Sequence, residues 1–226
     1  MAKRDEGEFL PSKKTKVRRL SERASYSKDD IFSVLDEAFI CHVGFNSVNY
    51  PIVLPMAFGR CGHTIYLHGA AANDMLKTIV GGSNGSVEVC VEVTLVDGVV
   101  LSKSMMHHSI NYRSVVLIGK ATLVRDREEK LRGLEAIVNH LLKGRSQDAR
   151  WPSEIELKKT IVVAVEIVEA SMKKRDGGPN EDDSDLDLNV WSGVLPVSNG
   201  FKDPLPDKFS FSPVPSYVEN LTTSKT

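Results

Sequence analysis

Residues 86–95 read Ser-Val-Glu-Val-Cys-Val-Glu-Val-Thr-Leu, so Val87, Val89, Val91 and Val93 alternate with Glu88, Cys90, Glu92 and Thr94. A period of two is the pattern of a strand with one face buried, whereas a helix places its apolar residues three and four apart. Asp97-Gly98 follows, and an Asp-Gly pair between apolar runs signals a hairpin, so the chain is expected to reverse there into 99–102. Further runs of strand character lie at 39–45, 50–58 and 64–68 upstream, and at 112–124 and 160–170 downstream. Helices are few. Ser27 opens one, with Asp30 at the third helical position and Ile31, Val34, Leu35 and Ala38 on one face. Asn73 or a near neighbour caps a short one carrying Leu76 and Ile79, stopped by Gly81-Gly82. Asp126 starts the longest, with Leu131, Leu134, Ile137, Val138 and Leu141 on one stripe and Gly144 past its end, and a short helix falls at 153–159. Strands and helices do not alternate as βαβ units, which disfavours a doubly wound parallel sheet. The expected fold is mainly β with flanking helices: an antiparallel barrel carrying its helices outside.

The chain has 226 residues, 41% of them hydrophobic, which is enough for a core without metal or disulfide staples. Its formal net charge of −1 lacks the basic excess that phosphate neutralisation needs, so no nucleic-acid partner is expected. No apolar run approaches the ~20 residues of a bilayer span, so no membrane partner is expected either. The charged N-terminus has no apolar region behind it, which speaks against a secretory signal. Cys41, Cys61 and Cys90 are odd in number and show no CxxC spacing, in keeping with a reducing, cytoplasmic compartment. Residues 1–21 read as a disordered basic arm, for which nuclear import is the sharper alternative. Residues 22–172 form the folded body. An acidic loop spans 173–189, and 190–226 hold a closing segment around Trp191 and a proline-rich tail.

The chain contains no GxxxxGK[ST], no GxGxxG after a strand and no Gly-x-Ser-x-Gly elbow. His107 and His108 are adjacent, so on a strand they point to opposite faces and cannot share one ion; no metal site is expected. His42 and His68 each lie inside an apolar strand. His42 reads as a core histidine satisfied by backbone, whereas His68 ends its strand ahead of a loop and is the stronger site candidate, including as a proton donor. Ser109, Asn111, Tyr112, Arg113 and Ser114 form the densest polar patch entering an apolar strand, a set suited to an anionic ligand.

Five stretches carry a family resemblance in order. They are Arg23-Ala24-Ser25-Tyr26 with Cys41-His42-Val43-Gly44-Phe45; Tyr50-Pro51-Ile52-Val53-Leu54-Pro55-Met56; Ile65-Tyr66-Leu67-His68-Gly69-Ala70; Asp97-Gly98-Val99-Val100-Leu101 running on through His107-His108 to Val115; and Trp191-Ser192-Gly193-Val194-Leu195-Pro196. The chain resembles the FMN-binding split-barrel proteins, in the pyridoxamine 5′-phosphate oxidase-related group that includes nitroimidazole-resistance proteins. The resemblance implies a six-stranded antiparallel split β-barrel that forms a homodimer with FMN at the interface. It places Leu54, Pro55 and Met56 along the flavin ring. His68, Gly69, Asn73, Lys77, Ser109, Asn111, Tyr112, Arg113 and Ser114 border the cofactor. It also implies an FMN-dependent oxidoreductase moving electrons from a reduced nicotinamide to a small-molecule substrate. A non-catalytic flavin- or haem-binding protein is the alternative, and pyridoxamine 5′-phosphate oxidation stands third. Relatives commonly place a cation at the start of the helix after the His68 strand, where this chain has Asp74. A carboxylate there opposes a phosphate by about 4 kcal/mol for unit charges at 4 Å and an effective dielectric of 20, which Arg113, Lys77 or the helix N-terminus would have to offset.

Overall fold

The computed structural model describes residues 7–47, 50–70, 73, 76, 78, 81 and 86–222. Ser27 accepts a hydrogen bond from Asp30 N and starts helix α1 (Lys28–Glu37), which buries Ile31, Val34 and Leu35. Asp126 caps α2 (Arg127–Leu141) through Glu129 N at 2.8 Å. Three short helices follow: α3 (Arg145–Asp148), α4 (Glu154–Lys159) and α5 (Ser216–Thr222). The α4 start is a full capping box, with Ser153 and Glu156 each bonding the other's backbone. No described helix is long and apolar enough to cross a membrane.

The strands are β1 (Ala24–Ser25), β2 (Ile40–Asn46), β3 (Pro51–Cys61), β4 (Thr64–Ala70), β5 (Ser86–Leu101), β6 (Ser109–Leu123), β7 (Thr160–Glu166), β8 (Glu169–Arg175) and β9 (Gly193–Pro196). Six of them close into an antiparallel ring in the order β6-β7-β4-β3-β2-β5 and back to β6, as the resemblance implies. The ring is split because β6 changes partner. Its Tyr112–Ile118 stretch pairs β8, while Ala121–Leu123 pairs β7. Gly119 stands at the change, where a Cβ would lie 2.7 Å from Val165 and 2.8 Å from the Glu166 carbonyl, so only glycine lets the strands close in. The main core fills the ring with Val43, Phe45, Phe58, Leu67, Val91 and Leu117 and is plugged by α1. A second core lies outside, where α2 covers Tyr66 and Val162 with Ile137. There the backbone of α2 rests on Gly59, whose Cβ would come within 2.4 Å of Ile137 N.

Three sequence expectations differ from the fold. Asp97-Gly98 does not reverse the chain. β5 runs through it with a bulge between Val96 and Gly98, because Gly98 is paired on both sides, to Asn111 and to Pro196. The reversal falls at 102–108, held by Glu181, which accepts from Ser102 Oγ at 2.6 Å and Lys103 N at 3.0 Å. Residues 160–170 are two strands, since Ile167 N turns to the His63 carbonyl and the chain swaps partners from β4 to β6; β8 then carries 173–175, expected to be loop. The arm is not free over its described part. Phe9 is buried against Phe32 and His63, Phe9 N bonds Tyr26 O at 2.8 Å, and Val17 N bonds the Tyr26 hydroxyl at 3.0 Å. One aromatic and one buried Thr15 anchor a stretch whose composition otherwise signals disorder.

Candidate functional site

The alternation of β2 and β3 splits their side chains between the core and an open face. Ile40, His42 and Asn46 of β2 are exposed, opposite Ala57, Pro55 and Pro51 of β3. Gly44, opposite Val53, supplies no side chain, and a hollow of about 240 Å³ lies beside it, lined by Val53, Cys90 and Ile118 among others. The face mixes apolar Ile40, Val53 and Pro55 with polar His42, Asn46 and Glu92. His42 and Glu92 are register partners on β2 and β5, with Nδ1 and Oε2 3.3 Å apart, so the reading of His42 as a core histidine gives way to an exposed ion-pair partner.

His68 stands at the edge of this face. The β3–β4 ladder ends at Phe58 and Leu67, and His68, one position further, pairs with Val162 of β7. Its ring is the one histidine ring of six with no hydrogen bond, ion pair or ring contact among the described residues. His42 holds Glu92, His63 packs on Phe9 and Phe32, His107 bonds Asp182, His108 bonds the Ser104 carbonyl, and His140 bonds the Ala38 carbonyl at 2.7 Å. Desolvation lowers the His68 pKa, so the imidazole is neutral at neutral pH. Cys41, on the core side of β2, is pushed up to about 12, mainly by burial, which keeps it a thiol.

The other expected site residues divide by face. Pro55 points outward beside His42, while Leu54 and Met56 pack inward against the core. Gly69 faces inward too, under Leu76, where a Cβ would meet Cδ1 at 2.8 Å. Asn73 Oδ1 accepts from Leu76 N at 3.2 Å, the bond a cap would make; most of the short helix expected to follow it, Ile79 and Gly82 included, lies outside the described residues. Lys77 and Asp74 lie outside the described residues. On β6, Ser114 donates to the Lys173 carbonyl at 3.4 Å, and buried Asn111 accepts from Arg175. Ser109 and Tyr112 make no side-chain hydrogen bond among the described residues.

Arg113 directs four of its five N–H groups at two carboxylates. Its Nε and Nη2 bond Asp97 at 2.9 and 2.7 Å, and Nη1 and Nη2 grip both oxygens of Glu37 at the end of α1. The Glu37 and Asp97 bonds raise the guanidinium's pKa. Sequence reasoning missed both carboxylates; Asp97 was read as a turn residue, and Glu37 lies 76 positions from Arg113 with no local signal. The β6 group stands three strand spacings from Pro55 across β2 and β5, about 14 Å.

A family model described as pyridoxamine 5′-phosphate oxidase matches residues 27–174. The chain belongs to this family. Among solved structures, this family member is similar to the flavocytochrome Anf3 from Azotobacter vinelandii, at 31% identity over 94% of this chain and 98% of that one, with a TM-score of 0.84. It is similar to the FAD and haem binding protein from Mycobacterium smegmatis, at 27% identity over 88% and 97% of the two chains, with a TM-score of 0.82. A protein from Bacteroides thetaiotaomicron assigned to 5-nitroimidazole antibiotic resistance is 27% identical over 66% of this chain and 85% of that one, with a TM-score of 0.54. The first two matches extend past the barrel into the segments that flank it. No curated protein matches the chain significantly.

Proposed function

We propose that this family member binds a flavin nucleotide and haem and passes electrons from a reduced nicotinamide to a small acceptor, working as a homodimer in a reducing, cytoplasmic setting. The observation that carries the haem part is His68: an imidazole kept neutral by desolvation, without a hydrogen bond, ion pair or ring contact among the described residues, at the edge of the exposed sheet face that holds Val53 and Pro55. Haem needs a neutral imidazole nitrogen and an apolar wall beside it, and the other five histidine rings already have partners. The similarity to a flavocytochrome and to an FAD and haem binding protein supports the same pairing and favours FAD over the FMN that the resemblance implied.

For the flavin, the exposed Val53 and Pro55 and the hollow beside Gly44 fit a planar ring system. The phosphate side fits less well, since Arg113 is held by two carboxylates. A second copy would bring the polar β6 residues of one chain to the wall of the other. When bound, the flavin accepts hydride and releases single electrons, which a haem can carry. The chain's own part is to hold His68 neutral, present the wall and exclude water. Pyridoxamine 5′-phosphate oxidation ranks behind, because the β6 arginine offered for a phosphate already has its partners.

The test is an absorbance spectrum of the full chain incubated with haemin and FAD or FMN, then desalted. A retained Soret band and flavin bands are expected, with FAD retained better than FMN. His68→Ala should lose or shift the Soret band and keep the flavin. A Soret band unaltered in His68→Ala overturns the haem assignment, and a colourless protein overturns the whole reading.

A further inference from the structure

The open face runs the length of β5. Glu88, Cys90, Glu92, Thr94 and Val96 alternate away from the core, and the bulge then turns Val99 outward, in line with its register partners Leu195 and Ile110. Ile40, Val53, Val96, Ile110 and Leu195 are all exposed on this face. Two segments of opposite charge flank it. At the Glu88 end, on the side of β6 and β8, lies the arm. Lys14 pairs with Glu88, and Lys173 Nζ donates to the Arg19 carbonyl at 3.0 Å. Residues 13–23 carry six cations and one acid, Glu22. Lys13, Lys16, Arg18 and Arg19 are exposed, and their side chains make no hydrogen bond or ion pair among the described residues.

At the Val100 end, on the opposite side of β5 where β2 and β9 pair, residues 181–191 carry five acids and no cation. Glu181 and Asp182 tie this segment to the 102–108 reversal through Ser102, Lys103 N and His107. Lys103 Nζ is spent on the carbonyls of Leu186 and Leu188, both at 2.6 Å. Asp183, Asp185 and Asp187 meet no cation among the described residues, and exposed Leu186, Leu188 and Trp191 stand among them. The arm does not reach them within one chain. Lys173 is level with Thr94 through Ser114, about 20 Å of strand short of Val100, and the arm is pinned on the far side of β5. The basic and acidic segments therefore occupy diagonal corners of one face, and exposed Thr94 lies midway between Glu88 and Val100. A two-fold axis normal to the face at Thr94 exchanges the corners. We propose that a second copy of this chain covers the open face about that axis, with the arm cations of each copy seated on Asp183, Asp185 and Asp187 of the other. The inference rests on the homodimer of the preceding reading and adds the surface that forms it. The apolar residues between the corners supply the burial, and the charges set the orientation.

The experiment is sedimentation velocity on the full chain over a range of concentrations. The parent should be a dimer that weakens as salt is added. One variant reverses the arm, with Lys13→Glu, Lys16→Glu, Arg18→Glu and Arg19→Glu. A second reverses the acids, with Asp183→Lys, Asp185→Lys and Asp187→Lys. Each sets like charges against each other across the two-fold, and each alone should raise the dimer dissociation constant about tenfold or more. Mixed in equal amounts, the two should recover the parent's constant as a heterodimer, because every reversed segment then meets its complement. Mixing does not rescue a misfolded chain, and a thermal melt of each variant checks the fold. Single variants that dimerise within about twofold of the parent overturn the docking and leave the homodimer standing. A mixture no tighter than its components does the same. A parent that stays monomeric overturns the homodimer and the docking together, while flavin and haem retention is read separately from the spectrum.

Discussion

Replacing Arg113 with methionine keeps the apolar stem and removes the guanidinium that ties the end of α1 to the β5 bulge. The side chain is 23% exposed, against 34% for Asp97 and 52% for Glu37. The bidentate bond to Asp97, at 2.9 and 2.7 Å, is the better shielded, and hydrogen bonds to charged groups contribute about 1.5–3 kcal/mol. Solvent screening puts Asp97 at the low end of that range and half-exposed Glu37 near the ~0.2–1 kcal/mol of surface pairs. The loss is then about 2 kcal/mol, or roughly 4–8 °C in melting temperature for a chain of this size. Leaving two carboxylates without their shared cation acts in the same direction. The assay is thermal unfolding of the cofactor-free protein, with Glu37→Gln combined in a double-mutant cycle to isolate the weaker arm. A phosphate-holding Arg113 behaves otherwise: its loss lowers flavin affinity tenfold or more and barely moves the cofactor-free melt. A shift below about 1 °C together with that affinity loss would refute the clamp assignment.

Gly59→Ala drives a Cβ into the α2 backbone, 2.4 Å from Ile137 N, where no side chain can swing aside; about 3 kcal/mol of stability should be lost, read from the urea midpoint. The His68 pKa is lower folded than unfolded, so the unfolded chain takes up the proton first. The stability tied to neutral His68 is present above about pH 6.5 and is lost as pH falls through the folded value. Urea midpoints at descending pH should therefore fall less steeply in His68→Gln than in the parent. With Ellman's reagent at pH around 8, exposed Cys61 should react rapidly, while Cys41, buried and pushed up to about 12, should react only after denaturant is added; a fast Cys41 reaction contradicts its burial.

What was legible locally came out as read. The caps at Ser27, Asp126 and Ser153 start helices because each oxygen reaches an N–H three residues on, a distance fixed within one turn. Asn73 makes the same i to i+3 bond to Leu76 N. The alternation of Val87, Val89, Val91 and Val93 made a strand, although with the paired faces of a closed ring. The six-strand split barrel came from the family resemblance, since alternation alone cannot say which strands become neighbours.

The candidate site was legible in part. His68 is singled out by its place near a strand end, and its ring has no hydrogen bond, ion pair or ring contact among the described residues. Asp97-Gly98 was misread because the same dipeptide serves a turn or a bulge, and the flanking partners Asn111 and Pro196 decide between them. The commitment of Arg113 to Glu37 and Asp97 was invisible, as was the anchoring of the arm by Phe9. By itself, the sequence determined where helices begin, which residues alternate and which side chains are capable of chemistry, because those depend on bonds spanning a few residues. Only the tertiary structure decided which of those side chains remain available, because a charge or a ring is engaged by neighbours that the closing of the ring brings from distant parts of the chain.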